Sequence, residues 1–398
     1  MNDEPQREGL TRRGLLLGGA AGLGAAAAIG IDRAGASPPE QTTFGEQTIP
    51  FHGSHQAGIA TPAQAFASFY AFDLLDGVDR DSLKKLMPIL TDDAERLTAG
   101  EPALADSEPE LALVPARLTI TFGFGKEFVR RADPEAVPSW LGPLPDFEID
   151  RLDAAWSDGD LLLQIAADDP VTVSHAARML LKDTRTFASL RWTQKGFRRA
   201  AGSVPENATM RNLFGQLDGT ANPTPGTTDF DGLVWSTDGW LTNGTSIVIR
   251  RINMDLETWD EVDKPGREQS VGRFQDSGAP LTGVNEHDEP DFDATTSLGL
   301  PIIAEYAHMR RARSDNPDER IFRRVYNYDD TPPSSTVSNA GQIFTSFQAD
   351  VDKQYVPLQQ RLADLDLLNQ WTEPIGSAVF AIPPGCEAGG FIGETLLS

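Results

Sequence analysis

Cysteine is almost missing from this chain. A single thiol, Cys386, occurs in 398 residues. No disulfide can form within the chain, and zinc or iron–sulfur centres built on several thiolates lack their ligands. Histidine is scarce as well. His52, His55, His175, His287 and His308 are the whole supply, so any imidazole chemistry must use one of them. Positive charge is also short: 34 Lys and Arg stand against 59 Asp and Glu, a net charge of -25. That argues against nucleic acid as a partner, because phosphate binding needs clustered cations. It disfavours an anionic membrane surface and leaves neutral or cationic small molecules open. Several catalytic templates are absent too. There is no Gly-x-Ser-x-Gly elbow, no His-Glu-x-x-His helix and no phosphate-binding loop. Gly215-x-x-Asp-Gly219 does not have the spacing of a dinucleotide fingerprint.

What is present begins with a leader. Thr11-Arg12-Arg13-Gly14-Leu15-Leu16-Leu17 is a twin-arginine pair followed by a Gly/Ala-dominated apolar run to about Gly30. The run is too short and too weakly apolar for a membrane span. Ala34-Gly35-Ala36 offers a small-x-small cleavage site, with Ser37 as the mature start. Residues 1–36 therefore read as a twin-arginine export signal, the alternative being an uncleaved anchor. The expected location is periplasmic or extracellular, at the cell envelope, with no stable membrane span after processing. This route exports folded cargo, often with a cofactor already bound.

The mature chain is long enough for two domains. Thr61-Pro62 reads as a helix start, with Ala65, Phe66, Phe69 and Phe72 behind it at helical spacing. Asp93 to Glu110 is acidic and reads as a surface excursion. Strands are expected at Arg117–Phe122, Leu161–Ala166 and Phe187–Trp192, and Asp168-Asp169-Pro170 caps a helix to about Lys182. In the second half, strands are expected at Thr245–Ile252, Ile321–Tyr328, Gln342–Gln348 and Ser377–Ile382. Helices are expected at Asp255–Val262 and from Asp352 to about Leu368. Strand, Ala-Asp, amphipathic helix, strand occurs twice, at 165–192 and 344–382, which suggests an internal duplication. Antiparallel sheets with packed helices fit an α+β class. The boundary falls near Ala201–Asn207, giving domains 37–203 and 204–398.

Four places could carry chemistry. Arg211-Asn-Leu-Phe-Gly-Gln-Leu-Asp-Gly-Thr-Ala-Asn-Pro223 sets an acid between glycines. It is either a polar hairpin turn or a carboxylate carried into a cavity on a Gly-flanked loop. Arg323-Arg324 sits in an apolar, aromatic strand, where alternation turns one guanidinium inward, toward an anion that offsets its burial. His308, in Glu305-Tyr-Ala-His308-Met-Arg-Arg-Ala-Arg313, is a buried core residue or a ligand. His52 and His55, in a Gly-rich loop, are loop residues or line a cofactor. His175 reads as a helix-face residue, and Asn285-Glu-His-Asp-Glu-Pro-Asp-Phe-Asp293 as a solvated acidic loop without calcium-loop spacing.

Taken in order, these pieces resemble the dye-decolourising (DyP-type) haem peroxidases, and most closely the exported bacterial branch that includes the deferrochelatase/peroxidases. The resemblance spans residues 45–398. It is carried by Pro50-Phe-His-Gly-x-His-Gln-Ala-Gly-Ile59, Thr119-x-Thr-Phe-Gly-Phe124, Asp160-Leu-Leu-Leu-Gln-Ile-x-Ala-Asp-Asp-Pro170 and Gly215-x-x-Asp-Gly-Thr-Ala-Asn222. It continues through Arg250-Arg-x-x-Met-Asp-Leu-Glu-Thr-Trp259, Ala307-His308-x-Arg310 and Arg323-Arg-x-Tyr-Asn-Tyr328. The resemblance implies two ferredoxin-like domains and a pocket in the C-terminal half for one b-type haem (haem b) per chain. It implies His308 as the iron ligand, Asp218 as the acid–base and Arg323 as the neighbouring arginine, with Arg324 the fallback if the register slips. Gly219, Thr220 and Ala221 would lie against the haem. Arg313 falls where the family's haem-contacting turn falls, although the local sequence departs from the usual pattern, and Val325 replaces a more usual glycine. Asp364 and Asp366 are candidates for the acid behind His308. The implied substrates are hydrogen peroxide and small-molecule or dye reductants, with Tyr306, Tyr326 and Tyr328 as candidate electron carriers. Deferrochelatase activity or a non-catalytic haem carrier is the alternative, and a homo-oligomer is left open.

Overall fold

In the computed structural model, which describes residues 44–205 and 207–398, the segment after Thr61-Pro62 is a strand and not the expected helix. It is β1, Phe66–Leu74. The Phe66, Phe69, Phe72 spacing mimics a helical stripe because both faces of this strand are buried. Tyr70, Phe72 and Leu74 enter one core, and Ala67, Phe69 and Ala71 enter a second. A strand covered on both sides loses its polar alternation, and periodicity then no longer separates it from a helix.

The elements follow as α1 (Arg80–Thr98), β2 (Thr119–Phe124), α2 (Lys126–Ala132), β3 (Leu161–Ala167), α3 (Pro170–Thr184) and β4 (Ala188–Phe197). A short hairpin, β5 (Met210–Arg211) and β6 (Leu217–Asp218), leads into α4 (Thr228–Val234), β7 (Thr245–Met254), α5 (Leu256–Asp260) and α6 (Lys264–Val271). The rest is α7 (His308–Arg311), β8 (Phe322–Arg323), β9 (Tyr326–Asp329), β10 (Ala340–Gln348), α8 (Val356–Leu365), β11 (Thr372–Ile382) and α9 (Glu394–Leu397). As expected, Asp169 caps α3 by accepting from Thr172 N, with Pro170 in the first turn.

The first half pairs in the order β4-β1-β3-β2 and the second in the order β11-β7-β10-β9, all antiparallel. Each half is thus a βαββαβ unit with the ferredoxin-like order, as the repeated strand–helix–strand pattern implied. In the second half the first helical connection is replaced by the long excursion from α5 to α7. The sheets meet at two single pairings, Ala381 with Phe124 and Phe197 with Asn327. Between them lies a core of Phe69, Leu162, Ile247, Ile249, Phe347 and Phe380.

The acidic stretch from Asp93 is only partly an excursion. Asp93 lies on α1 and is buried. Burial, and then the neighbouring Asp93, push the Asp183 carboxyl of α3 up to about 7. The folded state therefore holds a proton that the unfolded chain has released. Stability is fully present below the ordinary carboxylate value and is lost as pH rises through about 7. Asp183→Asn replaces the shared proton with a permanent amide donor. It should raise the melting temperature by about 2 °C at pH 8 and leave it unchanged near pH 3.5. Calorimetry at both pH values checks this.

Candidate functional site

The Gly-flanked acid is both of the things its sequence allowed. Residues 210–218 form the β5–β6 hairpin, with Asn212 N donating to Gln216 O and Gly215 at φ +80 turning the chain. Asp218 ends its second strand and projects its carboxylate into the protein. Three anchors bolt the hairpin to the C-terminal sheet. Asn327 Nδ2 donates to Arg211 O at 3.2 Å. Asn222 takes both backbone groups of Arg323, accepting its N–H at 3.0 Å and donating to its carbonyl at 2.7 Å. Gln342 Nε2 donates to Asp218 Oδ2 at 2.8 Å.

Arg323 Nη1 donates to Asp218 Oδ1 at 2.8 Å. Adjacent residues on a strand diverge, and Arg324 accordingly points the other way. It is buried, and it donates to Ile59 O, Thr61 O and Gln64 Oε1 of the N-terminal half. Arg323, and not Arg324, is the arginine that meets Asp218. The second arginine is buried as well, because the loop at 59–64 covers that face. Burial by itself pushes the Asp218 carboxyl up. Arg323, the Gln342 hydrogen bond, His308 and Asn212 outweigh it and hold the group below the usual carboxylate range.

His308 opens α7, which is tied to α8 through Arg311 Nε and the Arg361 carbonyl. Its Nδ1 lies 2.5 Å from Asp366 Oδ2. A carboxylate only accepts, so Nδ1 carries a proton, and it is the neutral ring that presents the Nε2 lone pair. The other Asp366 oxygen caps the turn after α8 by accepting from Leu368 N, which fixes the carboxylate's orientation. Asp364 instead accepts from Gln360 on the surface. Burial pushes the His308 imidazolium down, but the charge and hydrogen bond of Asp366 outweigh it and the net shift is upward.

Although His308 sits deep in the protein, 32% of its side chain remains accessible, and Nε2 has no partner among the described residues. Asp218 and Arg323 act on its ring electrostatically without touching it. Gly219 has φ +125, and a Cβ there would meet nothing nearer than 3.8 Å. Ala221 is exposed, and Thr220 donates to Glu286 at 2.9 Å. A basic imidazole nitrogen with no partner among the described residues thus stands within electrostatic reach of a carboxylate–guanidinium pair, next to a loop with room at Gly219. These residues fit a haem.

The other candidates make contacts of their own. Arg313 is half-exposed and paired with Glu289. His52 contacts Cys386 O and Glu95, His55 stacks on Trp235, and His175 is buried against Asp106. His287 is exposed, and among the described residues no group of three or more His, Cys, Asp or Glu could hold a metal. Tyr306 is exposed, whereas Tyr326 and Tyr328 are buried with unpartnered hydroxyls. Burial pushes Tyr328 up to about 12. Sequence reasoning assigned no role to Gln342, Asn212 or Asn222. Only Asn222 carried a signal, as the last residue of the Gly215–Asn222 motif.

Two ferredoxin-like halves, with an imidazole facing an ionised acid and an arginine in one of them, define the class of haem-dependent peroxidases. Residues 56–198 match the Dyp-type peroxidase, N-terminal family, and residues 209–387 the Dyp-type peroxidase, C-terminal family. The chain belongs to the Dyp-type peroxidase family, whose members are haem-binding enzymes. It is 35% identical to a dye-decolorizing peroxidase of Thermobifida fusca, over 99% of each chain. It is 34% identical to a deferrochelatase of Escherichia coli K12, over 87% of each. The solved structure of a DyP-type peroxidase from Cellulomonas bogoriensis superimposes with a TM-score of 0.87 at 51% identity, covering 90% of this chain and 100% of the other. Among the described residues no helix is long and apolar enough to cross a membrane.

Proposed function

We propose that this peroxidase reduces hydrogen peroxide with Asp218 as the proton carrier, Arg323 as the charge stabiliser and His308 as the iron ligand of a b-type haem. The observation that carries the reading is the unpartnered, part-exposed Nε2 side of His308 within electrostatic reach of the Asp218–Arg323 pair. Bound haem would supply the iron through which peroxide is reduced and organic reductants are oxidised.

The chain's own residues do the rest. Asp218, ionised well into the acid range, takes the proton from one peroxide oxygen and returns it to the oxygen that leaves as water. Oδ1 accepts from Arg323 and keeps a second lone pair open, whereas Oδ2 accepts from Gln342 and, at 3.5 Å, from Asn212. Arg323 has further N–H groups to direct at negative charge developing on oxygen, from a mostly buried position where such charges interact more strongly than in water. Asp366 keeps His308 in the tautomer that presents Nε2.

Reductants too bulky to reach His308 and Asp218 would give up electrons at the surface. Tyr306 is exposed, two residues before His308, and its carbonyl accepts from Leu367 N beside Asp366. The substrates are therefore dyes, phenols and other bulky reductants. Steady-state oxidation of an anthraquinone dye with peroxide, at acidic and neutral pH, tests the reading; no turnover at either pH would overturn it. The 34% identity to deferrochelatases favours a second reading, release of iron from haem with the tetrapyrrole intact. Finding intact metal-free porphyrin after anaerobic incubation with haem and a reductant would support that reading, and unaltered haem would exclude it.

The leader and its cleavage site lie outside the described residues. The Arg12-Arg13 motif supports export by the twin-arginine route to the periplasm or cell envelope, with domains at 37–203 and 204–398 in the mature chain. The intact mass of the exported protein, beginning at Ser37, checks the processing.

A further inference from the structure

Asp218 is held at both oxygens, and the second hold comes from a strand that contributes nothing else to the proposed chemistry. Gln342 lies on β10, opposite Asn327 of β9 and Ile252 of β7. It is 6% exposed, so its amide has no free choice of partner. Its Nε2 donates to Asp218 Oδ2 at 2.8 Å, matching the 2.8 Å contact from Arg323 to Oδ1. Asn212 reaches the same Oδ2 only at 3.5 Å, and its own carbonyl is occupied by Gln216 N.

This arrangement bears on a conflict in the site. Arg323 serves two anions: the Asp218 carboxylate at rest, and oxygen charge during peroxide cleavage. When its donors turn to the second, the first loses its strongest partner in a buried setting. We propose that Gln342 is a positioning residue for peroxide reduction, holding the Asp218 carboxylate oriented and ionised while Arg323 turns to the peroxide. The inference rests on Asp218 being the proton carrier.

The groups that face Asp218 are Arg323 on β8, His308 on α7, Asn212 in the hairpin turn and Arg198 just after β4, whose guanidinium feels the Asp218 charge. The charged groups among these are cationic. Removing the amide therefore leaves Asp218 ionised at neutral pH and weakens its ionisation on the acid side. Gln342 lowers the carboxyl, so its loss moves the acid limb upward.

Two near-isosteric variants of the haem-loaded protein test this. In Gln342→Met, the rate of the first absorbance change after mixing with peroxide should fall about threefold to tenfold at neutral pH. Its acid limb should rise by about one pH unit. Gln342→Glu sets a second carboxylate against the first, so one of the two holds a proton and the limb should rise further. Infrared difference spectra of each protein against its own Asp218→Asn counterpart read the carboxyl titration without turnover. They should move by the same amounts. A limb and a carboxyl band unmoved in Gln342→Met would overturn the inference. If Asp218→Asn leaves the peroxide rate intact, the proton-carrier reading fails by itself, and the infrared arm still decides whether Gln342 holds the charge.

Discussion

Replacing Asp218 by Asn should slow the first absorbance change after mixing with hydrogen peroxide by about 10²- to 10⁴-fold, with the haem content unchanged. An amide of the same shape keeps the Asn327 and Asn222 anchors of the hairpin but cannot accept the peroxide proton. It also removes the counter-charge that Arg323 meets at 2.8 Å. The pH dependence carries its own sign. Asp218 is held below the usual carboxylate range because Arg323 and Gln342, helped by His308 and Asn212, outweigh its burial. The ionised form, and the ion pair it makes, is present at neutral pH and is lost only as pH falls through that depressed value. The wild-type peroxide rate should therefore hold its plateau below about pH 4. Rapid-mixing spectra from pH 3 to 8 measure both effects, and an unchanged rate in the variant would remove Asp218 from the mechanism.

Replacing His308 by Ala should abolish stable haem binding, so that the purified variant lacks the normal Soret band. No other histidine can take over: His52, His55 and His175 are committed to Cys386, Trp235 and Asp106, and His287 lies out in solvent. Asp366→Asn separates holding the ring from ligating through it. The ring stays in place but loses its charged partner, and haem affinity should fall about 10- to 100-fold without disappearing. Haem transfer to an apo-globin acceptor measures both variants. A fully loaded His308→Ala protein with an unaltered spectrum would contradict the assignment.

Reading the fold from the residues succeeded where one face of an element was polar and failed where neither was. α3 announced itself through Asp169, Pro170 and an apolar stripe, and its start was legible to the residue. β1 did not, because Tyr70 and Phe72 are under the helices while Phe69 and Ala71 are between the sheets. α1 was missed for a different reason: its buried Asp93 made a helix end look like solvated chain. The strand–helix–strand echo was legible since both copies keep the Asp cap, at Asp169 and Asp350.

The sequence by itself determined the supply of chemistry. It allowed one thiol, five imidazoles, an acid between glycines and two arginines on one strand, and it placed them in the order of a known family. Which of them meet was decided only by tertiary structure. Strand alternation required Arg323 and Arg324 to diverge, but not which would find Asp218. Asp366 and Asp364 were equal candidates until a two-residue difference at the end of α8 put one behind His308 and the other in solvent. Gln342 carried no signal, since a glutamine in a strand is ordinary until another segment delivers a carboxylate to it. The reason is physical. A side chain's partners across 58 to 124 residues depend on sheet register and loop docking, and local residue pattern encodes neither.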